Sequence, residues 1–177
     1  MRESLAPGVW GVVATPFQGS TLDVDTDSLA GLVEYYEAIG ATGLTVLGVF
    51  GEAAALTAAE RSLVLEVAVE ETGLPLVAGV TSLYTGTAVE EIRAAQAVAG
   101  ERLAAVMVQA NSANPAVVVA HLNAIHQATG AKVVLQDYPP TSGVHFSVPL
   151  LDRLFAELPS LKVLKHEDWP GLGKLSR

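Results

Sequence analysis

Lys165 is the residue of this sequence best placed to do chemistry. It closes a short apolar run, residues 163–165 (VLK), that has the pattern of a buried β-strand. A lysine at the carboxyl end of a barrel strand points toward the place where enzymes of that architecture bind their substrates. In an apolar, partly desolvated pocket a lysine ammonium is disfavoured, so the free amine can attack a carbonyl and form a Schiff base. The residue therefore indicates aldolase-type chemistry, and the alternative is a solvated strand end.

Imidazole and carboxylate side chains elsewhere do not indicate a metal site. His166, Glu167 and Asp168 are consecutive, but adjacent residues of an extended segment point in opposite directions, and metal sites usually draw ligands from separate elements. His121 and His126 are five positions apart on a predicted helix and do not share a face. We expect both of these histidines to be solvated, and we expect no metal at these residues.

Composition narrows the class of protein. The length of 177 residues predicts a single domain over residues 1–177. The hydrophobic content of 50% predicts that this domain is globular. A formal charge of −9, from 10 basic and 19 acidic residues, argues against nucleic acid or an anionic membrane as a partner. The chain has no cysteine, which excludes disulfides and thiolate chemistry. With no signal-peptide pattern and no apolar run near the roughly 18 residues of a membrane span, we expect a cytoplasmic protein.

The elements that must position the lysine form an alternating series. Six apolar runs alternate with five helical patterns at a spacing of about 30 residues, which indicates right-handed βαβ units and a parallel sheet. The Thr57–Glu60 capping box marks the start of one of these helices. The predicted strands are 8–16, 44–47, 76–80, 104–108, 132–135 and 162–165, and the predicted helices are 27–39, 57–71, 87–98, 114–127 and 148–158.

Two α/β architectures fit this series. A doubly wound open sheet is complete at five or six strands, whereas a (β/α)₈ barrel usually needs about 250 residues and would here lack two strands. Length therefore favours the open sheet. The loop after the first predicted strand, however, has neither a G-x-G-x-x-G nor a P-loop pattern, so nothing indicates a nucleotide site at a switch point.

Four segments at the ends of predicted strands carry a more specific pattern. They are 11–17 (GVVATPF), the glycine loop 48–53 (GVFGEA), Pro139 with Gly143, and 163–165 (VLK). Their order and spacing resemble the dihydrodipicolinate synthase / N-acetylneuraminate lyase family of class I aldolases, over nearly the whole chain. The resemblance implies an α/β fold of the (β/α)₈ TIM-barrel type, with about six of the eight units present. It also implies a carbon–carbon lyase that forms a Schiff base with pyruvate or a related 2-oxo acid, without a cofactor, in a homo-oligomer.

The resemblance implies catalytic and substrate-binding roles for particular residues. Lys165 is the implied nucleophile. Val49 and Phe50 stand where the family commonly has hydroxyl residues that hold the substrate carboxylate, so here, with Gly51, they offer only backbone N–H groups. Thr141 stands where the synthases carry a substrate-binding arginine, which argues against that specific activity and favours a sugar acid or another 2-oxo acid.

The proton relay is the least determined part of the implied site. Gln136 aligns with the family's proton-relaying tyrosine, and an amide cannot transfer protons as a phenol can. Tyr138 could substitute, but it shares a face with Gln136 only if the segment stays extended, and a loop tyrosine packing beneath the neighbouring prolines is the other interpretation. Asp137, His166 and Glu167 are the remaining candidates.

The family's barrels continue for two more strands, whereas this sequence ends at Arg177. We therefore expect a barrel cut at about three-quarters, as a natural truncation or as a fragment. A six-stranded arc would have an unpaired edge and an exposed apolar interior. The alternative functional hypothesis is a catalytically degenerate family member that binds or regulates, and a nucleotide-binding protein is a third.

Overall fold

The computed structural model describes residues 5–176 of the chain. These residues contain eight strands: β1 (Trp10–Val12), β2 (Phe17–Gln18), β3 (Asp23–Val24), β4 (Gly43–Val46), β5 (Leu76–Gly79), β6 (Leu103–Gln109), β7 (Val133–Asp137) and β8 (Leu161–His166). The strands β2 and β3 form a small antiparallel hairpin between β1 and α1, where the sequence predicted neither a strand nor a helix.

The other six strands form one parallel sheet in the order β1-β4-β5-β6-β7-β8. A doubly wound sheet reverses its strand order at a switch point. Here the order of the six strands across the sheet is the same as their order along the chain. A (β/α)₈ barrel is built in this way. The doubly wound alternative is therefore wrong, and the barrel-type fold with six β/α strands is confirmed.

Helices follow the strands and cover one face of the sheet. They are α1 (Thr26–Ala38), α2 (Ala58–Glu71), α3 (Thr85–Ala99), α4 (Pro115–Thr129), α5 (Pro139–Ser142), α6 (Val148–Glu157) and α7 (Leu172–Leu175), with a 3₁₀ turn at Gly100–Arg102. The predicted capping box is present, since Thr57 and Glu60 satisfy each other's backbone N–H at the start of α2. The N-cap of α1 is Asp25, and the helix begins one residue before the predicted range 27–39. The short helix α5 lies between β7 and α6, where no helix was predicted.

The core divides according to the two faces of the sheet. Residues such as Leu44, Val106 and Leu135 are buried together with helix residues, so they lie on the outer face. Val77, Ala105, Met107 and Val134 form a separate small cluster with no helix residue in it, packed with Leu5, Trp10 and Val163. Because side chains alternate along a strand, this second cluster marks the inner, barrel-facing side.

The expectation that His121 and His126 are solvated is wrong. His121 is only 3% exposed because it lies on the buried face of α4, one helical turn from Val118 and Ile125. Its Nδ1 is 2.9 Å from the hydroxyl of Thr85 on α3, and burial lowers the pKa of the ring. His126 is half-buried, with Nδ1 3.0 Å from the carbonyl oxygen of Ala131.

Within residues 5–176 no helix is both long and apolar enough to cross a membrane.

Candidate active site at the carboxyl ends of β7 and β8

Lys165 lies near the end of β8, on the inner face of the sheet. It pairs in register with Gln136 of β7, and each of the two residues lies two positions after a member of the inner cluster, Val163 and Val134. Its side chain is 27% exposed, and it lines a largely apolar cavity of ≈ 380 Å³ whose walls include Trp10. The lysine amine is thus placed at an apolar inner surface that a small molecule can reach, as expected from its strand-end position.

A carboxylate lies beside this amine. The Lys165 ammonium nitrogen, Nζ, is 3.4 Å from Oε2 of Glu167. The same oxygen accepts a hydrogen bond of 2.8 Å from the side-chain amide of Gln136, which is 2% exposed. The backbone N–H of Glu167 donates to the carbonyl oxygen of Asp137 at 2.9 Å, which extends the β7–β8 ladder past His166. Glu167 therefore shares the inner face with Lys165, and its carboxylate lies between the lysine amine and the Gln136 amide.

The alternating side chains Asp137 and His166 lie on the other face. Asp137 is fully buried, and its Oδ2 lies 2.8 Å from His166 Nδ1 and 2.8 Å from Lys174 Nζ. His166 Nε2 lies 3.2 Å from the carbonyl oxygen of Gly171. Both ring nitrogens of His166 thus lie within hydrogen-bonding distance of oxygen atoms. These contacts fasten the segment after β8 to the end of β7.

Lys174 also pairs with Asp168, at 2.7 Å. Burial disfavours the charge on Lys174, but its hydrogen bonds with Asp137 and Asp168 outweigh that effect and raise the pKa of the amine above its ordinary value. The hydrogen bond from Lys174 in turn lowers the pKa of the Asp168 carboxyl, and His145, 3.4 Å away, adds to this effect. The consecutive residues His166, Glu167 and Asp168 therefore contact different partners.

The glycine loop after β4 contributes unequally to the inner surface. Val49 and Gln136 line the same small cavity of ≈ 60 Å³, together with Met107. Gly51 is buried, and its carbonyl oxygen accepts a hydrogen bond of 2.7 Å from the buried hydroxyl of Thr15. Phe50 is 65% exposed and is not part of that cavity wall. The structure thus brings Val49 close to Gln136, whereas the substrate-binding role of Val49, Phe50 and Gly51 stays a prediction.

Two residues, one just before this loop and one within it, have an unusual backbone conformation. Leu47 has φ of 58° and Glu52 has φ of 54°, in the left-handed region that non-glycine residues rarely adopt. Strained conformations of this kind cluster at ligand-binding and catalytic sites. Their position at the carboxyl end of β4 agrees with a site on this edge of the sheet.

Tyr138 does not continue β7. The strand ends at Asp137, and Tyr138 occupies the N-cap position of α5, where its carbonyl oxygen accepts hydrogen bonds from the backbone N–H groups of Thr141 and Ser142. Among residues 5–176 its hydroxyl makes no hydrogen bond with Lys165, Gln136 or Glu167. The catalytic role of Tyr138 stays a prediction, as do those of Lys165 and Gln136.

Thr141 reaches the inner face from the loop after β7. Its hydroxyl donates to the side-chain oxygen of Gln109, at the end of β6, over 2.9 Å. The position at which the resemblance implies an arginine in the synthases is therefore occupied here by a short, uncharged group that is bound to a neighbouring strand end.

The parallel sheet and the strand-end lysine define an α/β protein of the TIM-barrel class with its candidate site at the carboxyl ends of the strands. Residues 6–167 match the sequence model of the Dihydrodipicolinate synthetase family. The chain belongs to that family.

Named relatives and solved structures agree with this assignment. The chain is 31% identical over 156 residues to the 4-hydroxy-tetrahydrodipicolinate synthase of Roseobacter denitrificans, covering 87% of this chain and 53% of the relative. It superimposes on the dihydrodipicolinate synthase of Rhodopseudomonas palustris with a TM-score of 0.86 at 28% identity, over 97% of this chain and 57% of that one. The synthase of Acinetobacter baumannii, solved in complex with pyruvate, matches with a TM-score of 0.80 at 27% identity, over 89% and 54%. The chain thus spans about half the length of the curated relatives it matches.

Proposed function

We propose that this protein is a class I carbon–carbon lyase or aldolase that binds pyruvate or a related 2-oxo acid as a Schiff base on Lys165. The observation that carries the proposal is the position of the Lys165 amine, on the inner face at the carboxyl end of β8, at an apolar cavity and 3.4 Å from a carboxylate. A neutral amine is the nucleophile in such chemistry. Membership of the family and the pyruvate complex of a relative support the substrate class.

The second reactant is proposed to differ from that of the synthases. Thr141 replaces the implied arginine and is bound to Gln109, so position 141 offers no cation to a second carboxylate. A neutral aldehyde partner, such as the sugar that is released when a sugar acid is cleaved to pyruvate, fits this surface better than an anionic aldehyde does. We propose that the backbone N–H groups of residues 49–51 bind the carboxylate of the 2-oxo acid.

We further propose a cytoplasmic homo-oligomer that needs no metal or organic cofactor. The family resemblance supports the assembly and the cofactor-free chemistry, and a chain without cysteine is compatible with a reducing compartment.

Borohydride reduction in the presence of pyruvate tests the proposed function. We expect intact-mass spectrometry to show one reduced pyruvyl group per chain and peptide mapping to place it on Lys165. Lys165→Ala is expected to abolish the adduct, and Lys162→Ala, on the same strand, is the matched control that should retain it. An adduct that persists in the Lys165→Ala protein would contradict the proposal.

A catalytically degenerate binding protein is the second candidate. Gln136, which cannot relay protons, stands in the implied relay position, and the side chains of Val49 and Phe50 carry no hydroxyl group. This candidate predicts saturable binding of pyruvate by calorimetry without any reducible adduct, so the two hypotheses give opposite results in the trapping experiment.

A further inference from the structure

We propose that Glu167 is the catalytic acid and base of this site, and that it carries protons between the Lys165 amine and the carbonyl oxygen of the 2-oxo acid. The inference rests on the proposed Schiff-base function and adds to it a named proton carrier. It follows from the way in which the β7–β8 ladder distributes titratable side chains between the two faces of the sheet.

The other sequence candidates are engaged elsewhere. Asp137 and His166 bind each other at 2.8 Å on the outer face, and Asp137 also binds Lys174. Tyr138 lies beyond the end of β7, at the start of α5. In the part of the chain that the structure describes, Glu167 is the acidic group that pairs with Lys165. A catalytic acid or base acts at about 2.6–3.2 Å from the group whose proton it moves, and such contacts are often longer before substrate binds. The separation of 3.4 Å is slightly above that range.

Gln136 positions this carboxylate. Its buried amide donates to Oε2 of Glu167, the same oxygen that faces Lys165. The amide cannot carry a proton itself, but by holding one carboxylate oxygen it fixes that oxygen near the amine. The residue in the implied tyrosine position thus acts through Glu167, and we assign Gln136 as a positioning residue.

The step balances with Glu167 as the only proton carrier. The Glu167 carboxylate takes a proton from the Lys165 ammonium, and the free amine attacks the carbonyl carbon, forming the C–N bond while the carbonyl π electrons move to oxygen. Glu167 gives its proton to that oxygen and takes a second one from the nitrogen, which leaves a neutral carbinolamine. It then protonates the hydroxyl group, the C–O bond breaks, water leaves and the nitrogen lone pair forms the iminium. Of the three ammonium protons, one stays on nitrogen and two leave as water.

Both side chains are accessible enough for this sequence. The exposed fractions are 27% for Lys165 and 34% for Glu167, so a small 2-oxo acid can reach the amine and the released water can depart. A fully buried ion pair would have to be broken before either group could react.

The test compares rates of imine trapping in wild type, Glu167→Gln and Glu167→Asp, with pyruvate and borohydride in a quenched-flow format. Glu167→Gln retains an oxygen that can accept from Gln136 but loses the titratable group. We expect imine formation on Lys165 to slow by about 10²-fold or more and its pH–rate profile to lose one limb. Glu167→Asp should retain that limb at a reduced rate. Glu66→Gln, an exposed acid on α2, is the matched control and should behave as wild type.

Chemical rescue separates proton transfer from a structural role. Added formate should restore the rate of Glu167→Ala, whose shortened side chain leaves space for it, in proportion to its concentration, and it should not restore Lys165→Ala. A Glu167→Gln protein with the wild-type rate and pH profile would overturn the inference while leaving the Schiff base intact. A slower Glu167→Gln protein with an unchanged pH profile and no rescue of Glu167→Ala would also overturn it, in favour of a structural ion pair.

If wild type itself forms no adduct, the proposed function fails, and this inference fails with it. If Glu167→Gln does not fold, as judged by circular dichroism, the pH profile of Glu167→Asp decides.

Discussion

Asp137 is fully buried, and its Oδ2 lies 2.8 Å from both His166 and Lys174. Asp137→Asn would keep the volume but remove the charge that pairs with Lys174 at 2.8 Å. Removing one partner of a buried ion pair costs about 3–5 kcal/mol, and Lys174 keeps Asp168 as a second partner. We therefore expect the free energy of unfolding, measured by urea denaturation, to fall by about 3 kcal/mol, the lower end of that range.

The control for this substitution is Asp152→Asn, an exposed carboxylate on α6 that should change stability little. Equal unfolding free energies for the two variants would contradict the assigned role of Asp137. Because Asp137 and Lys165 lie on opposite faces of the sheet, pyruvate trapping by the folded fraction of Asp137→Asn is expected to persist.

At this scale the sequence predicted some residues of the site and not others. The position of Lys165 followed from the apolar run that it closes, and its pairing with Gln136 follows from parallel register. The pairing of Glu167 with Lys165 did not follow, because the sequence offered four candidate proton carriers in the two strand-end segments and did not distinguish among them. The distinction depends on the β7–β8 ladder, which extends through Glu167. Glu167 lies two positions after Lys165, so the two side chains point to the same face of an extended segment. This spacing was the signal that could have identified Glu167 as the best candidate.

Packing between elements limits the residue that can occupy position 79, at the end of β5. A Cβ atom added to Gly79 would lie 2.0 Å from the carbonyl oxygen of Leu47, and a backbone atom cannot move aside as a side chain can. We expect Gly79→Ala to destabilise the protein by about 3 kcal/mol, the upper range for overpacking, as measured by thermal and urea unfolding.

Gly86 provides the matched control for that substitution. It lies in the first turn of α3, and a Cβ atom there would meet no atom within 4 Å. Gly86→Ala should therefore stabilise the protein by up to about 1 kcal/mol through helix propensity. Destabilisation of similar size in both variants would show that the close approach of β5 to Leu47 is not the cause.

The contact between α3 and α4 predicts a pH dependence of stability. Burial lowers the pKa of His121, so the folded protein holds the neutral ring while the unfolded chain binds a proton once the pH falls below about 6.5, the ordinary pKa of histidine. Stability contributed by the neutral ring is present above that pH and is lost as the pH falls through the lowered value. We expect the melting temperature of wild type to fall more steeply between pH 7.5 and 5.5 than that of His121→Gln.

Gln can still bond the Thr85 hydroxyl at that place, so the difference between the two pH curves isolates the titration of His121 from the other histidines. Identical slopes for wild type and His121→Gln would contradict the prediction. The burial of His121 could have been predicted from the sequence, because the residue shares a helix face with Val118 and Ile125. The spacing between His121 and His126 does not indicate whether either one is buried.

For the molecule as a whole, the alternation of strands and helices predicted the parallel sheet and most element positions. It could not distinguish a barrel-type sheet from a doubly wound one, because both have the same local pattern and differ only in which strands are neighbours. Length pointed toward the doubly wound sheet, and the resemblance to a family pointed toward the barrel. The observed order, without a reversal, decided the question. The β2–β3 hairpin was missed since its strands are two residues each and carry no periodic signal.

The inner face of the sheet should bind an apolar probe in the native state. In residues 5–176, β1 and β8 each pair on one side only, and the apolar cavity of ≈ 380 Å³ between them is bordered by Trp10 and the half-buried Val163. Exposed apolar surface of this kind binds anilinonaphthalene sulfonate (ANS). We expect enhanced ANS fluorescence with the folded protein at neutral pH, and a several-fold decrease for Val163→Glu, because the new carboxylate disfavours the apolar anion.

The control is Leu63→Glu, on the exposed side of α2, which should leave the fluorescence unchanged. If folded wild type gives no ANS signal, the inner face is covered in solution, and sedimentation velocity would show whether a second copy of the chain covers it.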